Sequence, residues 1–190
     1  MTYVPLASST LNSSGVDVNA VYTAATATAT GYDPAYPNPP FLVGTSVLGN
    51  NNSKWMFVSV ATSCSKGDFC RTSISFAVTP LVTADAGAAF GQQIGIAMAT
   101  GTTGQFLWLQ TTGENQAANV VAATTAAVPL FTSSTAGRLT SVATNATSYP
   151  VYGVQLWTTA TAAQTQGTAQ MTSIELGTIL TTANALGIAF

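Results

Sequence analysis

The sequence has no histidine and almost no charge, with four basic and six acidic residues in a chain of 190. An ordinary soluble domain is about 25% charged, and this one is 5%. Without histidine the chain lacks the side chain most used for proton transfer near neutral pH and the commonest nitrogen ligand for metals. The only cations are Lys54, Lys66, Arg71 and Arg138, which leaves a phosphate backbone almost nothing to bind, so no nucleic-acid partner is expected. Two cysteines with no second pair cannot supply the four ligands of a structural zinc, so no metal site is expected. No cofactor is expected either: GTTGQF, from Gly101, lacks the Lys-Ser/Thr that completes a phosphate cradle and reads as a hairpin turn. The six carboxylates, Asp17, Asp33, Asp68, Asp85, Glu114 and Glu175, are scattered. The expectation is a protein that is not an enzyme, with only a pair of acids meeting from far apart in sequence left open.

Membrane and export signals are also lacking. The N-terminus MTYVPLASSTLNSSG has neither a basic region nor a continuous apolar run, so no secretory signal is expected. The charge-free stretch Ala86–Gly113 is long enough to span a bilayer, but its glycines, Thr pairs and Gln residues fit strands better than a lipid-facing helix. Thr, Ala, Ser, Asn and Gln fill the place of charge. Contacts built from such neutral groups are little screened by salt. A formal net charge of -2 gives little repulsion between copies, which suits a large assembly.

The chain is organised around Gln92–Glu114, two alternating apolar segments joined by ATGTTG. Ile94, Ile96 and Met98 share one face; Phe106, Trp108 and Gln110 alternate with Leu107, Leu109 and Thr111, so the second strand is expected to be covered on both sides. The glycine-bearing link predicts a hairpin. Upstream, Phe41–Leu48 and Lys54–Ala61 read as strands around a Gly49–Ser53 turn, with Trp55, Phe57 and Ser59 on one face and Met56, Val58 and Val60 on the other. RTSISFAVTPLV reads as a strand placing Ile74, Phe76 and Val78 on its buried face. Downstream, Thr135–Arg138 is a turn with Gly137 at the position needing positive φ, and Tyr149–Ala160 alternates again. About nine to eleven short strands with frequent turn signals, and no long helical period, predict an all-β chain: one β-barrel or β-sandwich. Trp55, Phe57, Trp108 and Trp157 are the expected core anchors, in preference to a sugar-stacking platform of tryptophans.

The β domain is expected to span residues 41–190. Four prolines in Gly31–Pro40 make a stiff spacer, so residues 1–40 read as an extended N-terminal arm whose Tyr3, Leu6, Val21 and Tyr22 are the candidates for contact with a partner; the other reading makes VDVNAVY an edge strand on the chain's own domain. Cys64 and Cys70, separated by SKGDF, either close a small disulfide loop or stay reduced.

The order of segments adds a resemblance. Phe57 and Val58; Gly104, Trp108, Gln110 and Gly113; Leu130, Phe131, Ala136 and Gly137; then Tyr152, Gly153 and Leu156 follow a pattern that resembles the small capsid decoration, or cement, proteins of tailed bacteriophages. The likeness covers roughly Phe41 to Leu180, and residues 1–40 have no counterpart in it. The resemblance implies a β-barrel or β-tulip domain on the outer surface of an icosahedral head, assembled in the host cytoplasm, often as a homotrimer, with the major capsid protein as partner. A glycan- or surface-binding module of a fibre, surface layer or adhesin is the alternative.

Overall fold

The computed structural model describes residues 16–23, 41–49, 52–83, 93–143, 148–161 and 165–176, with side chains to Thr172. The fold is all-β, and no α-helix occurs among the described residues. Eleven strands are formed: β1 Tyr22–Thr23, β2 Ser46–Leu48, β3 Lys54–Val60, β4 Phe69–Thr72, β5 Ala77–Pro80, β6 Ile94–Ala97, β7 Gln105–Asn119, β8 Leu130–Thr132, β9 Leu139–Thr140, β10 Pro150–Leu156 and β11 Gln166–Leu176. Among the described residues no helix is long and apolar enough to cross a membrane.

Two closed rings share the 15-residue strand β7. In the first, β7 pairs with β3 and β6, β6 with β4, and β4 with β5, all antiparallel; a parallel β3–β5 pair closes the circle. In the second, β7 pairs with β11, then β11 with β10, β10 with β8 and β8 with β9. A parallel bridge from Val120 to Leu139, with the Val121 N–H donating to Leu139 O at 2.8 Å, closes that ring. Closure leaves few free edges, which limits uncontrolled strand addition.

The alternation of the sequence explains how each wall serves two cores. Met56, Val58 and Val60 of β3 meet Leu107 and Leu109 of β7, with Cys64, Cys70, Val78 and Ala97, inside the first ring. The other face of the same two strands carries Trp55, Phe57 and Trp108, all fully buried. On β6, Ile94 and Ile96 turn away from the first ring and join Leu130, Leu139, Val151, Leu156 and Met171 in the second core. The central hairpin is present as predicted, with Ile96 opposite Gln110 and Ala97 opposite Leu109.

Strand β7 is longer than the Gln92–Glu114 reading implied because it is handed from β3 to β11 rather than stopped. At the hand-over the buried Gln110 amide donates to Thr112 O (3.1 Å) and Glu114 O (2.9 Å), and its Oε1 accepts from Asn115 Nδ2 at 2.8 Å. These bonds satisfy groups that the changing ladder leaves behind, which a buried bend requires. Gly113, at φ +97°, fits because any Cβ there would strike Ser53. The junction is fixed further along by Asp68, whose carboxylate accepts from Ser65 N (2.7 Å) and Asn119 Nδ2 (2.7 Å).

Two strand readings are corrected. RTSISFAVTPLV is a hairpin, not one strand: the chain turns at residues 73–76, with Phe76 N donating to Ser73 O (3.0 Å) and Phe76 itself at φ 58°. Ile74 sits at the tip and is 98% exposed, while Val78 is buried as expected. Residues 16–23, read as part of an arm, lie on the β domain. Val18 is fully buried, β1 pairs with β7, and Tyr22 packs edge-on against Phe41 and Phe57 at 6.0 and 5.5 Å. The edge-strand reading of VDVNAVY is the one the structure follows. The rest of the expected arm and spacer, including Tyr3 and Leu6, falls outside the described residues.

Candidate functional site

No group of three or more His, Cys, Asp or Glu side chains gathers anywhere among the described residues. Asp17 caps its own turn, accepting from Asn19 N at 2.9 Å, and Asp68 is committed to the junction.

The two cysteines are buried and free, so the disulfide reading of Cys64 and Cys70 is replaced by a reduced pair in contact. Cys64 bridges Gly101 and Cys70 lies on β4. The five residues between them wrap the Asp68 carboxylate, and both thiols lie in the first core. The thiol–thiol hydrogen bond, with burial, pushes Cys70 well above the ordinary range, while the same hydrogen bond holds Cys64 below it despite desolvation. Neither thiol is open to solvent. In native protein a disulfide-exchange reagent such as Ellman's should therefore react with no thiol on the minute scale, and after unfolding in guanidinium it should release two equivalents per chain. One or two fast-reacting thiols in native protein would contradict this packing, and none after unfolding would mean a bond.

Two surface regions stand out. The first is where the turns at residues 42–45 and 73–76 meet. The Phe76 ring lies against Gly44, so close that a Cβ on Gly44 would fall 2.6 Å from it. Leu42 is 83% exposed and Ile74 98%, with Val43 and Leu48 also open to solvent. Strand β2, which carries Leu48, pairs with β3 and has no second partner strand among the described residues. Of the partner-contact candidates, Val21 remains exposed. Tyr22 is half-buried in the aromatic cluster over β3 and β7.

The second region is the outer face of β10 and β11, and it corrects the fourth core anchor. Trp55, Phe57 and Trp108 are fully buried, but Trp157 is 56% exposed. The cause is a bulge: the β10–β11 register shifts between Tyr152 and Val154, where Gly153 takes φ +75°. The extra residue sends Val154 and Leu156 inward and Tyr152, Gln155 and Trp157 outward. The Tyr152–Gly153 pair in an alternating strand was the sequence signal for that shift.

No protein-family model matches the chain, and no curated protein is significantly similar to it.

Proposed function

We propose that the protein is a non-catalytic structural component of a tailed-phage virion, decorating the outer surface of the icosahedral head and bridging neighbouring capsomers, as a homotrimer bound to the major capsid protein. The observation that carries the reading is the apolar rim formed by the exposed Leu42 and Ile74 with Phe76. Apolar burial at such a rim gives attachment without ion pairs. A shell component meets changing salt and benefits from contacts that salt does not screen. The all-β architecture and the hydroxyl- and amide-rich composition agree with the resemblance to cement proteins.

Binding to undecorated shells, followed by sedimentation at low and high salt, tests this. Attachment should change little with ionic strength; a drop of about a hundredfold or more would mean ionic contacts dominate and would defeat the reading. Leu42→Asp together with Ile74→Asp should leave the fold intact, since both side chains are exposed, and should abolish attachment. Mass spectrometry of purified particles should find the protein in fixed proportion to the major capsid protein, whereas a handful of copies would point to a fibre.

A further inference from the structure

We propose that the outer face of β10 and β11 is a binding site for a neutral polysaccharide, with Trp157 and Tyr152 as stacking platforms and the Gln155 and Gln170 amides as hydroxyl readers. The site lies on the second ring, whereas the attachment rim belongs to the first. The two proposals are therefore separable.

Tyr152 on β10 and Trp157 just past its end are 59% and 56% exposed, while the intervening Val154 and Leu156 are buried. Two large aromatics exposed along one run of chain make a platform with an apolar body and a polar edge. Five residue steps separate them, roughly 15 Å at about 3.3 Å per residue, which suits an extended oligosaccharide rather than one small molecule. Between them lies an open depression of about 250 Å³ lined by Gly153, Val154, Gln155, Gln170 and Thr172. Gly153 has no side chain to fill it.

The polar groups at the depression are underused. Gln155, opposite Gln170 in the ladder, makes no side-chain hydrogen bond among the described residues. Gln170 Nε2 makes only a long contact to Met171 O at 3.5 Å, and Thr172 Oγ1 one of 3.4 Å to Gly153 O. An amide presents a donor pair and an acceptor side by side, which matches vicinal hydroxyls on a sugar ring. The ring's C–H face then lies on the indole. None of the chain's four cations, Lys54, Lys66, Arg71 and Arg138, is on β10 or β11, and the acidic Glu114 is the ladder partner of Gln170, so the face suits a neutral sugar better than an acidic one.

Affinity electrophoresis through gels containing a soluble neutral glucan, mannan or galactan tests the site on the full chain. At least one should retard the protein, Trp157→Ala should remove at least about ninefold of that affinity, and Trp157→Phe should keep part of it; a loss of that size corresponds to about 1.3 kcal/mol at about 1.4 kcal/mol per tenfold. Because Trp55 and Trp108 are fully buried, iodide-quenchable tryptophan emission reports Trp157 alone, and the retarding polysaccharide should protect it. Gln170→Ala should weaken binding without changing that emission in the free protein. Retardation by none of the three, or equal retardation of wild type and Trp157→Ala, overturns the proposal. So does retardation by an acidic polysaccharide only.

Discussion

Trp108→Ala should lose about 3 to 5 kcal/mol of stability, the range for truncating a buried large aromatic, and soluble expression should collapse. A domain of this size has about 5 to 15 kcal/mol in total, so the loss removes a large share of the margin. Trp108 is fully buried on β7 and packs tilted against Phe57 and edge-on against Phe41, at 5.1 and 5.2 Å between centroids. Removing it opens a void between two strands and the segment that covers them, and no neighbouring ring can fill that void without leaving its own contacts. The indole N–H finds no acceptor, so the side chain acts through its bulk. Trp108→Phe should therefore cost much less than Trp108→Ala, since it also deletes an unpaired buried donor. Trp157→Ala supplies the contrast: at an exposed position it should stay within about 0.5 kcal/mol of wild type. Guanidinium midpoints for the three variants are the measurement. A folded Trp108→Ala with a wild-type midpoint would show that the cluster over β3 and β7 is not a core.

The part of this fold legible in the sequence is the part governed by uninterrupted alternation. Residues 54–60 and 105–110 alternate strictly, and both faces of both strands are buried as their side chains imply. The turn at Thr135–Arg138 was also legible, because Gly137 marks it, and Arg138 N donates to Thr135 O at 3.2 Å. Alternation misleads wherever one residue is added or the chain reverses without a turn residue. At Gly153 the bulge inverts the inward set and carries Trp157 to the surface. At Ser73–Phe76 no glycine or asparagine takes the positive φ; Phe76 does, and the Ile-Phe-Val spacing imitates a strand. Ring closure lies further out of reach, since the parallel β3–β5 pair and the Val120–Leu139 bridge are long-range facts with no local signature. The attachment rim was invisible for the same reason: Leu42 and Ile74 come from turns more than thirty residues apart in sequence.

The proline cluster at residues 34–40 is the strongest punctuation in the sequence, yet residues 16–23 before it pack and pair on the β domain. A chain beginning at Phe41 should therefore aggregate or unfold, where one beginning at Val16 should fold. Val18 is fully buried against Trp55, Phe57, Met98 and Trp108, and burying a valine contributes about 1.5 to 3 kcal/mol. Tyr22 adds two edge-on ring contacts, each worth about 0.5 to 1.5 kcal/mol beyond the area it covers. Thr23 and Tyr22 also pair with Gln105 and Phe106 at the start of β7, so losing them frays the strand both rings share. Together these terms reach several kcal/mol, comparable with the whole margin. The loss also bares the aromatic face of β3 and β7, an apolar patch that invites self-association. Thermal unfolding and gel filtration of the two shortened chains decide the matter. If the chain from Phe41 is monomeric and melts like the full protein, residues 16–23 are an appendage and the domain begins where the prolines suggested. If it fails while the chain from Val16 holds, the eight residues 16–23 are structural.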